Sequence, residues 1–304
     1  MKSATLPVNA EPLTILETRR SLTAIILDLV KARLTFLVLV TTLVGFCMGM
    51  GNGPTNYWLL FNCMLGTALS AAGAAALNQL IEREADAKML RTRSRPLPTG
   101  EMTVQTAAAI GVSACLLGIL LLWTQVNSLT AWVSVGTIFS YIALYTPLKK
   151  ISSLNTLVGA IPGALPPVIG YAASANRLDW VAATLFLILF LWQLPHFLAI
   201  SWLYREDYLQ GGFVMISGRD ASGRETAWKA IGYTVLLIAS TALPYLLKIN
   251  NLFSLIGSTI LGLGFLVYAM AFYKKRNAIN ARRLFFASII YLPVLLGLLV
   301  FTRR

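Results

Sequence analysis

Nine apolar blocks of about 20 residues each, separated by short polar stretches, leave this 304-residue chain few folds to adopt. A helix of about that length crosses a hydrocarbon core of about 30 Å, and in lipid every backbone polar group must find its partner inside the segment. Reading the blocks between polar, Gly, Pro and Asn punctuation places candidate spans at 34–51, 57–81, 104–123, 129–146, 154–173, 180–203, 230–247, 251–272 and 284–301. The predicted fold is all-α: a polytopic membrane protein with about nine transmembrane helices bundled around a central cavity. Residues 1–33 read as a cytoplasmic amino-terminal arm and 34–304 as one transmembrane domain. The arm has no short apolar core followed by a small-residue cleavage site, so the first span itself is expected to direct insertion.

A net charge of +13, from 25 Lys and Arg against 12 Asp and Glu, would suggest nucleic acid in a soluble protein. In a membrane protein it first sets orientation, and nucleic acid is not expected as a partner. The arm and the stretches after spans two, four, six and eight hold 21 of the 25 basic residues; Arg177, Lys248, Arg303 and Arg304 are the other four. The positive-inside rule therefore places the amino terminus and the even-numbered loops in the cytoplasm of a cell (inner) membrane. Eleven of the 12 acids fall on the same side, Asp179 being the exception. Orientation alone needs no carboxylates, so loops of mixed charge point to chemistry on that face. Cys47, Cys63 and Cys115 lie inside apolar blocks at unrelated spacings, which indicates neither a disulfide framework nor a zinc site.

The second span ends in a polar row. Asn78, Glu82 and Asp86 recur at i, i+4 and i+8, so a continuing helix stacks them on one face. Carboxylate and amide oxygens suit a hard cation such as Mg²⁺, which completes its shell with water and substrate phosphate. Arg91 and Arg95 follow, with forked donors matched to phosphate oxygens. A solvated helix end with i, i+4 pairs such as Glu84 with Lys88 is the plainer reading of the same residues. Depth favours function, because the row directly follows the small-residue run 71–76 of an apolar span.

A second polar cluster ends span six, where His196, the chain's only histidine, precedes Asp207 by 11 residues. On one continuous helix both face the same cavity, with His196 roughly 16 Å deeper. Hydrogen-bonded packing, proton transfer and iron ligation all remain open for this histidine. Acids at the ends of spans two and six suggest two similar four-helix halves facing each other. Tyr145, Lys149 and Lys150 close span four, and the Pro- and Gly-rich run 159–167 in span five is too irregular for a straight helix. Broken helices persist in lipid where protein or a cavity satisfies the freed backbone, so span five is expected to line the pocket.

These runs resemble the intramembrane (UbiA-type) prenyltransferases, and within them the protohaem IX farnesyltransferases. The resemblance rests on Asn78-x3-Glu82-x3-Asp86 with Met89, Arg91-Thr92, Arg95-Pro96-Leu97-Pro98 and Gly100. It extends to Tyr145-Thr146 with Lys149-Lys150, the Pro-rich fifth span, and the blocks Pro195-His196-Phe197 and Asp207-Tyr208. It implies transfer of a farnesyl group from farnesyl diphosphate to a vinyl carbon of haem B, giving haem O. By the same resemblance Asn78, Glu82, Asp86 and Asp207 bind Mg²⁺ and diphosphate, and serve as the catalytic set. Arg91, Arg95, Lys149, Lys150 and Tyr145 then hold the diphosphate, and His196 is placed for haem. Haem A synthase or a terminal oxidase is an implied recipient of the product. The sequence departs from quinone-type relatives by carrying Glu82 in a middle acidic position and Leu203, rather than an acid, four residues before Asp207. Glu206 lies about 100° round a helix from Asp207. Two other readings use the same residues: prenylation of a quinone precursor or chlorophyllide, and a transporter gated by the broken span. A transporter binds near the midplane, whereas these acids sit at the membrane edge.

Overall fold

The computed structural model describes residues 20–51 and 54–304; the basic residues Lys2 and Arg19 of the arm lie outside that range. Among the described residues the structure is helical throughout, and nine helices are long and apolar enough to cross a membrane. They run Ala32–Gly49, Tyr57–Asp86, Val104–Gln125, Ser128–Leu148, Asn155–Ala175, Trp180–Leu203, Arg224–Leu246, Leu252–Lys274 and Ala278–Phe301. The expected nine spans are all present in a multi-pass membrane protein. Spans 7 and 9 begin six residues earlier than the apolar blocks suggest, because their polar first turns are helical too.

Exposed apolar side chains cover the outside of the bundle, as lipid contact requires. Trp58, Trp123, Trp132 and Trp180 project from span ends at one face, the position of an interfacial aromatic belt. At that same end Arg303 donates to the Cys47 carbonyl, and Asn250 pairs with Arg303. The carboxyl terminus is thereby fastened beside the end of span 1. Arg177, another of the four outlying basic residues, pairs with Asp179 at 2.8 Å.

Helix contacts rely on small residues where backbones approach closely. Spans 2 and 3 meet along Gly66, Gly73, Gly111 and Gly118; a Cβ on Gly73 would stand 2.6 Å from the Gly111 carbonyl oxygen. Span 5 is the most enclosed, with 72% of its most apolar stretch buried. It breaks at Leu165 into Asn155–Ala164 and Pro166–Ala175, because Pro166 and Pro167 supply no N–H to the preceding turn. Gln193 of span 6 reaches the Ala160 carbonyl at 3.3 Å beside the break. The second half of span 5 packs on span 1, where a Cβ on Gly170 would collide with the Thr42 carbonyl.

Candidate active site

A cavity of about 470 Å³ opens among spans 1, 2, 4, 5 and 6. Its inner wall is apolar, with Leu34, Val38, Ala71, Ile138, Ile169 and Phe197, and its polar end carries Lys31, Glu82, Asp86, Arg91, Arg95 and Lys149. Four basic and two acidic side chains in one wall leave an excess of positive charge. Such a pocket favours a ligand with an anionic head and an apolar tail.

Three local devices build the polar end. Span 2 stays helical to Asp86, so Glu82 and Asp86 reach the wall one turn apart, as their spacing predicts. The chain then leaves the helix and folds back. Arg95 Nη1 returns to Asp86 Oδ2 at 2.6 Å, and the Thr92 hydroxyl donates to the Asp86 carbonyl at 3.0 Å. Span 4 widens into a π-helical turn at Ser140–Tyr145 immediately before Pro147, with the Thr146 N–H bonding five residues back to Tyr141. The turn stacks Tyr141 and Tyr145 with centroids 5.8 Å apart and carries Lys149 to Glu82, Nζ to Oε1 2.7 Å. The Lys149 ammonium also lies 4.5 Å from the centre of the Tyr145 ring. The third device is Lys31, a non-glycine residue at φ 48° on the corner between the short helix Leu22–Leu29 and span 1. Its ammonium donates to Asn78 Oδ1 at 2.6 Å.

Electrostatics separates these cations. Burial pushes the Lys31 ammonium down to about 7, and Arg95 adds to the shift. Burial also opposes the charge on Lys149, but Tyr145 and the Glu82 carboxylate outweigh it and raise its pKa above the ordinary lysine value. Lys149 is thus the more firmly charged of the two.

The expected residues do not all converge. Glu82, Asp86, Arg91, Arg95, Tyr145, Lys149 and His196 line the cavity. Asn78 is fully buried behind the wall, with Nδ2 donating to Thr146 Oγ1 at 3.0 Å. Lys150 is exposed and takes no part in the wall, since the chain turns away after Lys149. Asp207 departs from the continuous-helix expectation. Span 6 ends at Leu203, Tyr204 breaks the register, and a separate short helix begins at Arg205. Asp207 therefore sits beside the cavity, accepting from the Arg91 N–H at 3.3 Å, while Tyr208 occupies the wall. Glu206 pairs with Arg205 at 3.3 Å, and Glu84 pairs with Arg83 rather than Lys88. Lys31 and Tyr141 join the site without a signal in the sequence, whereas Thr146 belongs to the Tyr145-Thr146 run. In sequence Lys31 is one of the basic residues of the amino-terminal arm, and nothing in its spacing marks the left-handed corner.

Asp86 Oδ1 is buried without a hydrogen-bond partner, an acceptor that a hard cation with oxygen ligands fits. Among the described residues no three His, Cys, Asp or Glu side chains come together as a metal cage. A cation here would draw much of its shell from diphosphate and water, the usual habit of Mg²⁺.

Residues 38–290 match the model of the UbiA prenyltransferase family. The chain is 41% identical over 287 residues to the protoheme IX farnesyltransferase of Solibacter usitatus, covering 91% of this chain and 98% of that protein. It is 40% identical to the protein of the same name from Opitutus terrae, covering 91% of this chain and 94% of the relative. The mitochondrial protoheme IX farnesyltransferase of Arabidopsis thaliana is 37% identical, over 90% of this chain and 64% of the plant protein. In fold the chain resembles a digeranylgeranylglyceryl phosphate synthase, with TM-score 0.77 at 18% identity, covering 92% of this chain and 98% of the other. A UbiA homologue from Archaeoglobus fulgidus bound to GPP and Mg²⁺ superposes with TM-score 0.62 at 14% identity, covering 90% and 99%.

Proposed function

The chain belongs to the UbiA prenyltransferase family, and from that premise we propose that it transfers a farnesyl group from farnesyl diphosphate to a vinyl group of haem B, giving haem O and diphosphate. The observation that carries the reaction class is the pair of contacts Lys149–Glu82 and Arg95–Asp86 at the charged end of a largely apolar cavity. The haem acceptor rests on the near full-length similarity to proteins named protoheme IX farnesyltransferase.

The site's residues account for the chemistry as follows. The farnesyl chain lies along the apolar wall, and its diphosphate meets Lys31, Arg91, Arg95 and Lys149. Breaking the C1–O bond sends the electron pair onto diphosphate, whose new charge these fixed cations stabilise without reorganising. Asp86, with Glu82, would hold Mg²⁺, which would neutralise leaving-group charge when bound. Asn78 and Asp207 act one layer out, the first on the Lys31 ammonium and the second on the Arg91 backbone. The haem vinyl carbon forms the new bond to farnesyl C1. Water then captures the resulting carbocation and loses a proton, which gives the hydroxyethylfarnesyl group. The apolar wall and the Tyr141–Tyr145 stack keep water from the allylic cation until the vinyl group attacks. Tyr145 thus flanks the leaving group and carries Lys149 on its face.

This reading also places the amino-terminal arm and the polar loops in the cytoplasm of an inner membrane. It makes a haem A-forming enzyme or a terminal oxidase the recipient of the product. The test is acceptor choice: proteoliposomes given farnesyl diphosphate and Mg²⁺ with haem B, chlorophyllide and a prenyl-accepting aromatic acid together. Farnesylation of haem B alone is expected. Preferential prenylation of the aromatic acid or chlorophyllide would overturn the haem assignment while preserving the reaction class.

A further inference from the structure

His196 is held more firmly than packing requires. Its ring stacks on Trp192, with centroids 5.0 Å apart at 22°, and on Phe285, at 5.2 Å and 30°. Its Nδ1 meets Ser288 Oγ at 2.7 Å. Ser288 is fully buried on span 9, and its carbonyl accepts from the Trp192 indole N–H at 2.9 Å. One serine thus contacts both the histidine and one of its stacking partners.

The direction of the hydrogen bond follows from counting protons. A serine hydroxyl has one, and that of Ser288 goes to the Phe285 carbonyl at 2.5 Å. Towards His196, Ser288 Oγ can then only accept, so Nδ1 carries the imidazole proton. Ser288 is fully buried and His196 lines the cavity, which leaves Nε2 as the ring nitrogen outside the serine contact and available to a cavity ligand. A neutral imidazole protonated on Nδ1 presents a lone pair on Nε2, the state required of a metal ligand.

We propose that Ser288 is a positioning residue that locks His196 in the Nδ1–H tautomer, so that Nε2 ligates the iron of the haem acceptor. The proposal rests on the haem reading above. Ligation from a clamped ring fixes the macrocycle's distance from the cationic end of the cavity, and with it which peripheral vinyl group meets the farnesyl C1. Haem is substrate here, and the transfer to its vinyl carbon asks no change of oxidation state of the iron.

The test is titration of the purified full-length protein with ferric haem B, followed by the Soret band, alongside steady-state turnover. The wild type is expected to give a histidine-ligated spectrum and His196→Ala to lose it. Ser288→Ala is expected to bind haem about 10- to 100-fold more weakly, with a shifted Soret band and an unchanged KM for farnesyl diphosphate. Ser288→Thr, which keeps the hydroxyl, should restore the wild-type spectrum. Wild-type affinity and spectrum in Ser288→Ala would overturn the proposal, as would a ligated spectrum in His196→Ala. Should Ser288→Ala fail to fold, Ser288→Cys, of similar size but a weaker acceptor, provides a second reading: a shifted Soret band and weaker haem binding support the proposal, and a wild-type spectrum overturns it. A ligated spectrum without any farnesylated product would instead count against the haem-transfer reading.

Discussion

Lys149 Nζ stands 2.7 Å from Glu82 Oε1, tying the end of the π-distorted fourth span to the carboxylate row of the second. Both groups face the cavity, so the ammonium is fixed in place before any substrate arrives. Cations placed where charge develops act without the reorganisation that water would need. Lys149→Met is expected to lower kcat by roughly 10²- to 10³-fold, the usual effect of removing one such group. Lys149→Arg should recover part of the loss. Initial rates at saturating farnesyl diphosphate decide, and an undiminished kcat in Lys149→Met removes Lys149 from the leaving-group site.

Asp86 combines an ion pair to Arg95 with a second oxygen that has no partner. Asp86→Asn keeps the shape and removes the charge. Turnover should fall by at least about 100-fold, while the protein still elutes as a single species by size exclusion, with a lower melting temperature because Arg95 loses its buried partner. Wild-type activity would take Asp86 out of the proposed metal role.

The contact of spans 1 and 5 depends on the missing Cβ at Gly170, where an added methyl meets the Thr42 backbone. Gly170→Ala should destabilise the protein by roughly 1–3 kcal/mol, the range for overpacking, and lower its melting temperature. Gly264, whose Cβ would meet nothing within 4 Å, is the control. Gly264→Ala should melt at or slightly above the wild type. Equal melting temperatures for wild type and Gly170→Ala would show that the two spans are not in close contact.

Asp220 caps the approach to span 7, accepting from the Thr226 N–H at 2.8 Å and the Thr226 hydroxyl at 3.0 Å. Burial raises its pKa, but these bonds and the Ser222 hydroxyl outweigh that and hold it below the ordinary 3.8. A depressed carboxyl contributes stability above its unfolded pKa and loses it as the pH falls through the folded value. The difference in melting temperature between wild type and Asp220→Asn should therefore be constant from neutral pH down to about 4 and narrow below it. A difference that stays constant below pH 4 would contradict the assignment.

The spans were legible because each is set by one-dimensional information, a run of apolar residues long enough for lipid. The Asn78, Glu82 and Asp86 row was legible for a related reason, since helical spacing holds as far as Asp86. Helical spacing loses its meaning where the helix stops. Asp207 follows the break at Tyr204, so its distance from His196 could not be counted in turns. Lys150 follows Lys149 in the sequence but leaves the site, because adjacent residues on a turning chain face different ways. Lys31 enters the site through a left-handed backbone corner, and Tyr141 through a π turn; neither leaves a periodic trace. Ser288 lies 92 residues from His196, and their contact exists only through the packing of spans 6 and 9.

The central claim is a reaction, and the mass of its product tests it most directly. Proteoliposomes containing the protein, haem B, farnesyl diphosphate and Mg²⁺ are extracted and the haems weighed by mass spectrometry. A haem heavier than haem B by one hydroxyfarnesyl unit, absent from the Asp86→Asn sample, is the expected result. Unchanged haem B after incubation with folded wild-type protein would contradict the account.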